Sequence, residues 1–93
     1  MASNINEESY EQTIQALNVF SAEISEAAQA MADQASECVE ACEGDEASTN
    51  SQEKLAGCLQ AFNAAAQQAQ ALARAMQAEL EAAREAAAKA ASV

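Results

Sequence analysis

The sequence predicts an all-α protein, an antiparallel two-helix hairpin with helices at about 7–43 and 50–90, on three observations. Two long stretches repeat apolar residues at alternating steps of three and four. Both are rich in Ala and contain no Pro. They are interrupted once, at Cys42-Glu43-Gly44-Asp45-Glu46-Ala47. Ala has the highest helix propensity and loses no side-chain entropy in a helix, so this composition favours long helices. The alternation of β-branched and aromatic residues that marks strands is absent, which excludes a sheet. Residues 1–93 are enough for one small domain, marginally stable unless its exposed faces are covered.

Helix one is expected to start at Asn6, an N-cap followed by Glu7 and Glu8 at the positive end of the helix dipole. From Tyr10 the stripe runs through Ile14, Leu17, Phe20/Ser21, Ile24, Ala28, Met31, Ala35, Cys38 and Cys42. Such a seven-residue repeat, with large residues alternating with small ones, lets two helix axes approach closely. The expected packing seam on this helix is Leu17, Phe20, Ile24 and Met31.

The turn is placed at 43–49. Gly44 is the residue past the helix end, where a left-handed backbone costs Gly least. Helix two can be capped by Thr49 with Gln52 or by Asn50 with Glu53, both at capping-box spacing. Its stripe resumes at Leu55 and runs through Leu59, Phe62, Leu72, Met76 and Leu80 before fading into Ala. The ends, 1–5 and 88–93, are expected to fray, and Glu85-Ala86-Ala87-Ala88-Lys89 matches the repeat of designed helical spacers.

A short connection between long helices gives an antiparallel hairpin. With the midpoint near residues 47 and 48, Leu17 should face Leu80, Phe20 Met76, Ile24 Leu72, Met31 Ala65, Ala35 Phe62 and Cys38 Cys58. Two helices alone cover one side of each other, and helix two carries Ala on its remaining faces. Pairing of two hairpins into a four-helix bundle is therefore expected.

Chemistry is sparse. No His is present, which removes His-based catalysis and most zinc sites, and no Gly-rich phosphate loop occurs. The carboxylates lie mostly off the apolar stripe, unlike those of a di-metal bundle. We expect no catalytic residue, no metal and no cofactor. Cys38, Cys42 and Cys58 are the reactive candidates, without a fourth ligand for a soft metal. The expected register admits a Cys38–Cys58 disulfide; buried, reduced thiols acting as small hydrophobes are the alternative, and fit an odd cysteine count in a cytoplasmic chain.

The net charge is −11 and unevenly spread: residues 1–53 hold twelve acidic and no basic side chains, while 54–93 hold Lys54, Arg74, Arg84 and Lys89 against Glu79, Glu81 and Glu85. An acidic half repels phosphate backbones and anionic headgroups, so neither nucleic acid nor a membrane surface is the expected partner. No run of about 18 apolar residues suggests membrane insertion. The N-terminus lacks a basic region followed by an apolar one, so a cytoplasmic start is expected, with any export by a route that needs no cleaved leader.

An acidic helical hairpin of this length, with Cys42-Glu43-Gly44 and then Asp45-Glu46-Ala47 at its midpoint, resembles the Trp-x-Gly family of small proteins associated with type VII secretion. The likeness covers nearly the whole chain in architecture and Gly44 alone in motif. Trp is absent from the turn, and no Tyr-x-x-x-acid signal follows Leu80. The resemblance implies a four-helix dimer with a second hairpin, or with the helical N-terminal region of a larger secreted protein that supplies the export signal. This chain would then be a targeting partner or chaperone. The competing expectation is a homo-oligomeric structural protein whose alanine seams stack hairpins into a bundle or filament; an enzyme ranks last.

Overall fold

A computed structural model describes residues 5–42 and 46–92. It is an all-α helical hairpin: α1 spans Glu7–Ala41 and α2 spans Glu46–Ala91. The two pack side by side into a rod of 73 × 16 × 14 Å. Its radius of gyration is 20.9 Å, against about 12 Å for a compact domain of this length.

The start of α1 follows from its cap. The Asn6 side chain accepts a hydrogen bond from the backbone N–H of Ser9 at 3.0 Å, satisfying one of the donors that a helix start leaves open. Glu7 and Glu8 lie in the first turn, as expected. At the other end Cys42 is outside the helix, its N–H donating to the Cys38 carbonyl. Gly44, expected as the turn residue, lies outside the described residues.

The caps of helix two are corrected here: α2 is helical from Glu46, so Thr49 and Asn50 are helical residues rather than caps. At its far end residues 88–91 are helical, and the Ser92 N–H and hydroxyl both bond back to the last turn.

The earlier start of α2 moves the midpoint of the hairpin to about residue 44, and with it the register. The Ser21 hydroxyl donates to the Ala66 carbonyl at 3.3 Å, whereas the expected pairing put residue 75 there. Tyr10 meets Glu79, and Cys38 shares a hollow with Ser51, Gln52 and Leu55. The six expected pairs, Leu17–Leu80 through Cys38–Cys58, are thus displaced by about two turns of α2. Cys38 and Cys58 are free thiols, both exposed. They sit about 10 Å out of step along the rod, beyond the Cα separation that a disulfide tolerates.

The seven-residue repeat does set the contact. On α1 the rows Ile14, Ser21, Ala28, Ala35 and Tyr10, Leu17, Ile24, Met31 are buried or half-buried. On α2 so are Gln52, Leu59, Ala66, Ala73, Leu80 and Leu55, Phe62, Ala69, Met76, Ala83. The core is Ala28, Ala66, Ala69, Ala73 and Leu80 with the hydroxyl of Ser21, so the axes approach over small side chains. Two residues expected in the seam are not there: Phe20 remains 47% exposed and Leu72 51%. Each lies one position around its helix from the contact row, on its flank.

Candidate protein-docking face

The two flanks of the seam differ in chemistry. On one flank α1 presents Thr13, Phe20, Ala27 and Gln34, and α2 presents Ser51, Cys58, Ala65, Leu72 and Glu79. On the other, α1 presents Asn18, Ser25, Ala32 and Val39, and α2 presents Ala56, Asn63, Gln70 and Gln77. Three surface hollows among the described residues follow the same division. One of about 270 Å³ is lined by Met31, Gln34, Ala35, Cys38, Ser51, Gln52 and Leu55. Two smaller ones, about 180 and 130 Å³, open on the amide flank beside Asn18, Arg74 and Gln77 and beside Ser25, Gln29 and Asn63.

In the observed register Phe20 and Leu72 lie within about one helical turn of each other along the rod, on the same flank, so their exposed surfaces form one patch. The other exposed large residues do not join it: Val19 is on the outer back of α1, and Val39 is near the turn on the opposite flank. The chain exposes 6833 Å² for 9.6 kDa, where a compact monomer of that mass exposes about 5,100 Å². The surplus is what a bare hairpin leaves uncovered.

The expected seam residues therefore divide. Leu80 is buried, Leu17, Ile24, Met31, Leu59, Phe62 and Met76 are half-buried between the helices, and Phe20 and Leu72 lie on the flank. Sequence reasoning placed these last two in the hairpin's own contact because an apolar stripe wider than one row does not say which row faces the partner helix.

Polar contacts close the open end of the rod. The Tyr10 hydroxyl donates to Glu79 Oε2 at 2.8 Å. That hydrogen bond, with desolvation and the carboxylate's charge acting in the same direction, raises the phenol above its ordinary value. Arg84 Nε donates to Glu7 at 2.6 Å and its Nη2 reaches Glu11, bonds that raise the guanidinium's already high value further. Sequence reasoning missed this site; its trace was Arg84 late in α2 against Glu7, Glu8 and Glu11 early in α1.

Among the described residues no group of three or more His, Cys, Asp or Glu could hold a metal ion. No helix there is long and apolar enough to cross a membrane. No protein-family model matches the chain, and neither the curated proteins nor the solved structures searched gave a match.

Proposed function

We propose that this protein is a non-enzymatic interaction module that acts by forming a helix bundle, docking its Phe20–Leu72 flank on helices of another chain. The observation that carries this reading is that the two large apolar side chains Phe20 and Leu72 lie half exposed on one flank, where the other flank has Asn18, Asn63, Gln70 and Gln77. A hairpin adapted to solvent on both sides would have polar residues on both. Burying two large side chains that are now half exposed contributes on the order of 1 kcal/mol each. The resemblance to the Trp-x-Gly hairpins would make the partner a related hairpin or the helical N-terminal region of a larger secreted protein, with this chain as its targeting partner or chaperone. The second reading, a homo-oligomeric scaffold, is favoured by the exposed Ala64, Ala71, Ala75, Ala78 and Ala82 along the outer side of α2, which allow close helix approach.

The test is site-specific photo-crosslinking in the native host. A crosslinker at position 20 or 72 should trap a helical protein, and one at position 63 or 70 should trap none. Equal yields from the two flanks, or none from either, would remove the basis for the assignment.

A further inference from the structure

We propose that the hairpin has a second register, displaced by one heptad, which a disulfide between Cys38 and Cys58 locks, so that the chain is a thiol-sensitive two-state rod. Both helices bury residues on the same seven-residue repeat. Sliding α2 by seven residues toward the turn, about 10 Å, therefore sets the same rows against each other. At the turn end the observed register is poorly filled. A hollow of about 270 Å³ lies between Met31, Ala35 and Cys38 of α1 and Ser51, Gln52 and Leu55 of α2, and the polar Gln52 occupies a core row. One heptad on, Cys58, Leu59 and Phe62 take the places of Ser51, Gln52 and Leu55, which brings larger apolar side chains into that space. At the open end α2 outruns the first residue of α1 by about ten residues, and the slide draws all but about three of them alongside α1. The sequence also holds a second start for α2: Thr49 with Gln52 and Asn50 with Glu53 have capping-box spacing, and a start there frees residues 46–49 to lengthen the connection. The geometry of the lock follows from a contact already made. Tyr10 lies four heptads from Cys38 and Glu79 three from Cys58, so the slide gives the two cysteines the relation that Tyr10 and Glu79 have now. Cys58 then replaces Ser51 beside Cys38. The Tyr10–Glu79 and Arg84–Glu7 bonds hold the reduced chain, whose thiols are free, in the observed register. As the Cys38–Cys58 bond forms, the two thiols lose two protons and two electrons to a small-molecule disulfide such as glutathione disulfide, whose S–S bond breaks to give two thiols.

Disulfide closure of the full chain in a glutathione redox buffer tests this, with Cys42→Ser throughout so that one cysteine pair remains. Three pairs on the same two rows differ by one heptad each. Cys38 with Ser51→Cys, in Cys58→Ser, reports the observed register; Cys38 with Cys58 reports the slipped one; Cys38 with Ala65→Cys, in Cys58→Ser, needs a slide of two heptads, for which no second helix start exists. Ser51→Cys and Ala65→Cys are small changes, and helical circular dichroism of the reduced variants checks that each folds. In an unfolded chain the last two loops, about 20 and 27 residues, close at nearly the same rate, so closure of Cys38–Cys58 about tenfold faster than the Ala65→Cys pair is the mark of the slipped register. The Ser51→Cys pair should close fastest. The Cys38–Cys58 product should be a single chain that has lost two hydrogens in mass and keeps its helicity. Tyr10 in that product should titrate at lower pH than in the reduced chain, because the slide carries Glu79 away from it. Equal rates for Cys58 and the Ala65→Cys pair overturn the proposal, as do closure only between chains, no closure, or an oxidised product in which the Tyr10 titration is unchanged.

Discussion

The two ends of the rod are built from the same seven-residue repeat and packed unequally. At the open end, far from the connection, Leu80 is 1% exposed and sits between the Glu79–Tyr10 contact and the Arg84 contacts to Glu7 and Glu11. At the turn end the helices enclose a hollow of about 270 Å³ beside Met31, Ala35, Cys38 and Leu55, and Val39 is 46% exposed. Covalent connection holds the turn end together whatever its packing. The open end has no such tether and is held by burial and side-chain bonds.

The largest effect should come from breaking the tight end. Leu80→Ala removes the one large side chain that is fully buried among the described residues, and should cost about 2–4 kcal/mol by urea denaturation. Leu55→Ala, at a half-buried position on the rim of the hollow, should cost about 1 kcal/mol or less. Equal costs would mean that the ends do not differ.

Next are two substitutions identical in chemistry and opposite in expected sign. Ala28 is buried in the close approach over Ala66, Ala69 and Ala73, so Ala28→Leu should destabilise by about 1–3 kcal/mol through overpacking. Ala35, one heptad on in the same row, lines the hollow, so Ala35→Leu should stabilise by about 1 kcal/mol as it fills space. Gly57 belongs to the same loose half. A Cβ built on it meets nothing within 4 Å, and Gly57→Ala should add about 0.5–1 kcal/mol by removing backbone freedom from the unfolded chain.

The fold was legible in the sequence because repeat, composition and a single interruption pointed the same way; the helix start at Asn6 followed from one side chain. The register was not. It depended on where α2 begins, and the polar run from Asp45 to Ser51, which reads as turn, is helical from Glu46. That displacement removed the Cys38–Cys58 pairing and every expected large-to-small match. The exposed apolar surplus was legible, but Phe20 and Leu72, which lie on the flank, were assigned to the hairpin's own contact. Which row of a wide stripe faces inward is decided by how closely the axes approach, and here Ser21 and Ala66, not the largest residues, set that distance.

The smallest effect is at the phenol of Tyr10, the sole tyrosine in a chain without Trp, which makes its ionisation directly readable by ultraviolet absorbance. Glu79 accepts the phenol's proton-bearing bond and its charge opposes a phenolate, so Tyr10 binds its proton more tightly folded than unfolded. The sign follows by linkage: the contact's contribution is fully present below the unfolded value near 10 and is lost as pH rises through the higher folded value. The native chain should therefore titrate at higher pH than the same chain in urea, and Glu79→Gln should bring the two curves together. Because the contact is in solvent, Tyr10→Phe should barely change the denaturation midpoint at neutral pH while removing the alkaline shift in stability. Coincident native and unfolded titrations would mean that the open end is held by Leu80 and Arg84 without the Tyr10–Glu79 bond.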